Sequence, residues 1–246
     1  EGVTTAEIGR RIGVTKNDTR IDFAVLENCV REHLGQVAPR VLAVLDPVKV
    51  IIENYPQGQQ EQLPAANHPQ RPELGTRSVP FAREIFIERD DFLEDPPKGF
   101  HRLAPGREVR LRYAYFITCT GVVRDPGSGA ITELRCTYDP ATRGGNAPDG
   151  RKVKGTLHWV AASTALDAEV RQYDRLFAVP DPDAAGADWL EHLHPDSVQV
   201  LTGCKLEPAL KGAAPTDHYQ FERLGYFCAD AIQSKPGAPI FNRTVT

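Results

Sequence analysis

The chain has 246 residues, 41% hydrophobic and 25% charged, with a net charge of −4. That is material for one large domain or two smaller ones, and no apolar run nears the roughly 20 residues that cross a bilayer as a helix. Five scattered cysteines without a CxxC pair speak against a disulfide framework or a zinc site, so a soluble, cytosolic protein is expected.

The sequence holds no methionine and starts at Glu1, so it reads as part of something longer. Thr4 and Glu7 have capping-box spacing, Ile8 and Ile12 share a helical face, and Gly13 suits a stop. In "DTRIDFAVLENCVREHLGQ", Phe23, Leu26, Val30 and Leu34 form an apolar stripe. Asp18 or Thr19 would cap that second helix, which ends near Gly35. From Arg40 the pattern changes. "VLAVLDPVKVIIENY" reads as strand, turn, strand about Asp46 and Pro47. "ENYPQGQQEQLPAANHPQRPELGTR" is polar and rich in turn formers, a long loop.

"REIFIERDDF" alternates Ile85 and Ile87 against Phe86 and Glu88, and the Asp90-Asp91 pair beyond reads as solvated surface. "EVRLRYAYFITCTGVVRDPGSGAITELRCTY" is a hairpin about the turn 125–129. In "DGRKVKGTLHWV", Lys152, Lys154, Thr156 and His158 take one face of a strand, and Val153, Leu157 and Trp159 the other. "DAAGADWLEHLHP" is a short helix before the strands of "LTGCKLEPAL" and "YQFERLGYFCAD". The sum is a small helical piece followed by all-β structure, most simply one or two antiparallel barrels.

No phosphate-cradling glycine loop and no GxSxG elbow is present, and His192 and His194 do not share a helical face. A binding surface is the better reading. Charge is uneven: residues 98–178 carry thirteen Lys/Arg against eight Asp/Glu, and the rest sixteen against twenty-five. Arg102, Arg107, Arg110 and Arg112 form either a solvated face or a surface for phosphate and base edges. Phe100, Tyr113 and Tyr115 are either core or stacking platforms for unpaired bases.

"NHPQRPELGTRSVPF", "REVRLRYAY", "DGRKVKGTLHWV", "YDRLFAVPDP", "YQFERLGYFCAD" and "FNRTVT" resemble, in order and spacing, the C-terminal half of the glutaminyl-tRNA synthetase family. The resemblance implies a mainly β fold: a helical connector (1–39) and two antiparallel β-barrels, one inserted in the other. The proximal barrel would hold 40–97 and 179–246, the distal one 98–178. It implies a class I ligase that joins glutamine to its tRNA with ATP and Mg, in a catalytic domain whose HIGH- and KMSKS-type motifs are not in this sequence. The chain itself would bind the anticodon loop of glutamine tRNA, as part of a cytoplasmic monomer, without catalytic residues, metal or cofactor of its own.

Carried over position by position, Arg40, Gln220, Glu222 and Arg223 match the group around the middle anticodon base. Arg102, Arg110 and Arg112 match arginines that meet the outer bases, while His101, Lys152 and Lys154 would touch phosphate, add field or simply be solvated. Gly99 and His101 depart from the family pattern, which has a polar residue and a lysine there. The alternatives are the equivalent domain of a glutamyl-tRNA synthetase and a stand-alone β-barrel interaction module.

Overall fold

The computed structural model describes residues 4–13, 22–182, 188–235 and 237–246. Helix α1 (Thr5–Ile12) starts on Thr4, whose hydroxyl accepts the Glu7 amide at 3.3 Å, and stops at left-handed Gly13. Helix α2 (Phe23–Val37) is capped by Asp22, whose carboxylate accepts the Ala24 amide at 2.9 Å. Asp22 directly precedes the first helical residue, which is where a cap must sit. The expected caps Asp18 and Thr19 lie outside the described residues. Leu34, at the end of the stripe, packs with Tyr226 and Val245, whereas Phe23 is exposed.

Sixteen strands follow among the described residues. The first six are β1 (Arg40–Val41), β2 (Ala43–Val44), β3 (Pro47–Ile52), β4 (Gln60–Ala66), β5 (Thr76–Ala82) and β6 (Glu84–Glu88). Then come β7 (Glu108–Leu111), β8 (Phe116–Arg124), β9 (Ile131–Asp139), β10 (Thr156–Leu157) and β11 (Val160–Ala161). The last are β12 (Leu166–Tyr173), β13 (Val198–Leu206), β14 (His218–Phe221), β15 (Gly225–Ala229) and β16 (Ile240–Val245).

One seven-stranded sheet has the order β1-β14-β15-β16-β12-β13-β2, and a second β10-β7-β8-β9-β3-β6-β11. In each, the two edge strands are halves of one short segment. Residues 40–44 pair in parallel with β14 on one side and antiparallel with β13 on the other. Residues 156–161 do the same with β7 and β6. Each sheet thus meets itself across a single stretch of chain and curls into a nearly closed barrel, which leaves little open edge. Each barrel also holds a further parallel pair, β12 with β16 and β3 with β9, so neither is purely antiparallel.

The second barrel is inserted between β2 and β12, as expected, but the strands divide the chain elsewhere than at 98–178. β3 and β6, expected in the proximal barrel, pair into the inserted one, and β12, expected in the distal barrel, pairs into the first. Charge is a poor guide to that division. Counted over 47–161, the insert carries sixteen Lys/Arg against fourteen Asp/Glu, a surplus of only two.

"VLAVL" shows no polar alternation because both its faces are buried. Val41, Ala43 and Leu45 enter the core of the first barrel, and Leu42 and Val44 the core of the second. The segment expected as a long loop contains β4, which pairs with β5 from Gln60↔Ala82 to Ala66↔Thr76. Its buried positions Leu63, which faces Val79, and Ala65 alternate with exposed glutamine, proline and alanine, which conceals the strand period. In "DGRKVKGTLHWV" Leu157 and Trp159 are buried and Lys152 and Lys154 exposed, as expected. His158 is buried too, because the closing segment breaks between β10 and β11 and its alternation breaks with it. Gly155 is required: a Cβ there would stand 2.0 Å from the His101 carbonyl oxygen. The expected helix near residue 190 is a single 3-10 turn, Trp189–His192, and residues 183–187 lie outside the described set.

Candidate nucleic-acid interface

The two barrels meet at the turn between β14 and β15. Phe221 pairs with Gly225 across it, and the Leu224 amide closes it on the Phe221 carbonyl at 2.9 Å. Arg223 is forced to φ +70° at its tip, and Tyr113, across the junction, to φ +64°. A left-handed conformation costs a non-glycine residue about 1–2 kcal/mol, and such strain persists where contacts over-determine it. Here the contacts are ionic.

Asp91, read from sequence as solvated, is fully buried at the end of the 3-10 turn after β6. Its carboxylate accepts Arg223 Nη1 at 2.7 Å and Nη2 at 2.8 Å, and Arg102 Nη1 lies 3.0 Å from Oδ1. A carboxylate removed from water needs such partners. Glu222, buried and one residue before Arg223, crosses the other way. It accepts the Tyr113 hydroxyl, and Arg112 Nε lies 3.1 Å from its Oε2 as an ion pair without hydrogen-bond alignment. Neighbouring residues of one turn therefore send an anion and a cation into the inserted barrel, and each meets its opposite there.

Tyr113 lies between two cations, with the Arg112 guanidinium 4.9 Å and that of Arg77 5.8 Å from its ring centre. Burial, then the bond to Glu222, pushes the Tyr113 hydroxyl above its ordinary value. Burial opposes the Arg112 charge, but Glu222 and Tyr113 outweigh it and leave that pKa raised. A second brace lies close by. Arg77 Nε reaches Glu207 Oε1 at 2.5 Å and Nη2 reaches Oε2 at 3.1 Å, with both side chains nearly dry. Glu207 also takes the Leu42 amide at 3.0 Å, at the break between β1 and β2. Burial pushes the Glu207 carboxyl up, while Arg77 and that amide pull it down.

Arg40 and Gln220 are register partners in the parallel pair of β1 and β14. The structure thus brings six of the seven predicted readers into three pairings: Arg40 with Gln220, Arg102 with Arg223, and Arg112 with Glu222. Arg110 is the exception. Its guanidinium lies 5.5 Å from the Phe116 ring centre, which Arg151 also approaches at 5.4 Å, with Gly145 packed against its side chain. The Nε atoms of Arg40 and Arg110 are buried without a hydrogen-bond partner. His101, Lys152 and Lys154 are exposed, on chain that runs together where Gly155 passes the His101 carbonyl. Of the aromatics, Tyr115 is core, its hydroxyl donating to Glu61 at 2.8 Å. Sequence reasoning missed Asp91, His158 and the Arg77–Glu207 brace. For Asp91 the one available signal was the buried period of Ile85 and Ile87 running toward it.

Two family models match the chain, both described as tRNA synthetases class I (E and Q), anticodon binding domain, over residues 38–139 and 156–230. The chain belongs to this family. The matches take in every strand of the inserted barrel, the junction, and the first barrel up to β15. Among similar proteins is the glutamine–tRNA ligase of Bradyrhizobium diazoefficiens, 54% identical over 239 residues, which are 97% of this chain and 42% of that protein. Others are those of Nitrobacter winogradskyi, 57% identical over 97% of the chain and 42% of that protein, and Pseudomonas syringae pv. tomato, 54% identical over 96% and 41%. The chain spans about 42% of the length of the curated relatives it matches.

Among the described residues, the groups gathered at this junction do not form a metal site. Its carboxylates are already committed to guanidiniums, and among the described residues no group of three or more His, Cys, Asp or Glu could hold an ion. No helix among them is long and apolar enough to cross a membrane.

Proposed function

We propose that the junction between the barrels grips the anticodon loop of glutamine tRNA on behalf of a glutamine–tRNA ligase. The ATP- and Mg-dependent joining of glutamine belongs to other parts of such a ligase, so this chain alone is inactive in that reaction. The full protein acts as a cytoplasmic monomer. One observation carries the reading: buried carboxylates back half-exposed guanidiniums. Arg102 and Arg112 side chains keep 45% and 38% of their surface, while Asp91 and Glu222 keep 1% and 8%. Each cation is held from behind, with donors left over for phosphate oxygens and base edges.

In this reading Arg40, Gln220, Glu222 and Arg223 surround the middle anticodon base, offering donors and an acceptor to one splayed base. Arg102, Arg110 and Arg112 meet the outer bases, and His101, Lys152 and Lys154 supply field or phosphate contacts. The relatives named as glutamine–tRNA ligases support the choice of tRNA. Titration of the chain with glutamine-tRNA anticodon stem-loops, at two salt concentrations, tests it. Changing the middle base is expected to weaken binding by about 10- to 100-fold. Affinity indifferent to the anticodon, or equal affinity for glutamate tRNA, overturns it.

A further inference from the structure

Asp91 is shared by guanidiniums from two barrels, Arg102 in the insert and Arg223 in the first. The carboxylate is wholly buried, yet the two arginine side chains remain 45% and 30% exposed. Arg223 donates twice to this carboxylate, while Arg102 donates to the Asp90 carbonyl at 3.3 Å and is held to Asp91 by charge. Moving either guanidinium toward a ligand therefore changes the charge balance the other depends on.

Arg223 has a second restraint. Its Nη1 lies 3.3 Å from His158 Nδ1. A guanidinium can only donate, so Nδ1 accepts and the ring proton sits on Nε2, which faces Glu88 Oε1 at 3.2 Å. Glu88 in turn accepts the Leu45 and Asp46 amides at 2.7 and 3.0 Å, in the link where the chain passes between barrels. Contacts run unbroken from Arg102 through Asp91, Arg223, His158 and Glu88 to that link.

We propose that Asp91 is a positioning residue for RNA recognition, and that it couples reading at the base met by Arg223 to reading at the base met by Arg102. The inference rests on the anticodon reading above. Charge gives it a distinctive sign. One carboxylate against two guanidiniums leaves one surplus positive charge, and removing the carboxylate charge leaves two. Loss of a merely structural residue weakens binding to every RNA. Loss of Asp91 lowers discrimination while attraction to phosphate grows.

Four stem-loops test this: cognate, middle base changed, outer base changed, and both changed, each bound at several salt concentrations. In the unaltered chain, the double change is expected to cost clearly less than the product of the two single changes. In Asp91→Asn each single change should cost about tenfold less than before, the two should become multiplicative, and the salt slope should steepen by about 0.7. Asp91→Glu keeps the charge and displaces it by one methylene. It should lose part of the discrimination at both bases with the slope unchanged, and it carries the test if Asp91→Asn fails to fold by circular dichroism. Multiplicative costs in the unaltered chain, or discrimination lost at one base alone, overturn the coupling while leaving the anticodon reading intact. If the unaltered chain binds all four RNAs alike, the anticodon reading fails and the coupling falls with it.

Discussion

The two barrels are closed by segments that look alike in pairing and differ in what surrounds them. Residues 40–44 and 156–161 each pair in parallel on one side and antiparallel on the other, and each breaks in the middle. At each break a glutamate from elsewhere takes up the slack: Glu207 holds the Leu42 amide, and Glu88 faces the His158 ring. Beyond its opening Arg40 the first segment lies between two cores and has no wet face, so its glutamate is neutralised by Arg77 in near-dry surroundings. The second faces one core, and its break opens onto the junction, where His158 meets Arg223. Similar closure thus serves as internal mortar in one barrel and as backing for the candidate site in the other.

Removing the charge of each glutamate separates these roles most sharply. Glu207→Gln strands Arg77 in a dry site and should cost about 3–5 kcal/mol of stability. Glu88→Gln keeps an oxygen for amide donors and should cost about 1–2 kcal/mol. Urea unfolding of the two variants side by side gives the difference, and equal losses would show that the segments are not buried differently in effect.

The cations that enter each segment offer a second contrast. Arg40 opens the first, beside Gln220, and Arg40→Ala should reduce discrimination at the middle anticodon base by about 1–3 kcal/mol. Between the segments, Tyr113→Phe leaves Glu222 with one donor fewer, an expected loss of about 1 kcal/mol in unfolding free energy. Because the folded-state pKa of Tyr113 is raised above 10.0, its contribution is complete below that pH and disappears as the pH climbs through the folded value. The phenylalanine variant should therefore lose less stability than the parent over that alkaline range. Smallest of all, Lys152→Ala with Lys154→Ala, at the entry to the second segment, should leave stability within about 0.5 kcal/mol. That pair should flatten the salt slope for every RNA alike, and any change in base preference would move these lysines from phosphate to base contact.

Local features of the fold were legible in the sequence. The hairpin of β8 and β9 folds back across a six-residue turn, and Thr4, Glu7 and Gly13 punctuate α1 as their chemistry requires. Leu157 and Trp159 pointed to the barrel core from period alone, as did Ile85 and Ile87. What stayed hidden depends on partners far along the chain. Apart from the period of Ile85 and Ile87, nothing near Asp91 distinguishes it from its solvated neighbour, because the arginine that justifies its burial stands 132 residues later. The strand β4 is masked by glutamine and proline, and the double burial of residues 41–45 exists only because a second barrel lies against the first. The candidate site came from a resemblance spread over six strings rather than from any local pattern. Three-dimensional pairing then gathered most of its residues and set Arg110 apart.

The insertion has a consequence for how the chain is made. Every strand of the inner barrel lies within residues 47–161, so its last stave exists as soon as residue 161 has left the ribosome tunnel. The outer barrel begins at β1, yet β14, the neighbour of that strand, is synthesised some 180 residues later. Until then "VLAVL" has one of its two cores to rest in. On that topology the inner barrel is expected to mature first and to keep the opening strand of the outer one covered until the C-terminal strands arrive.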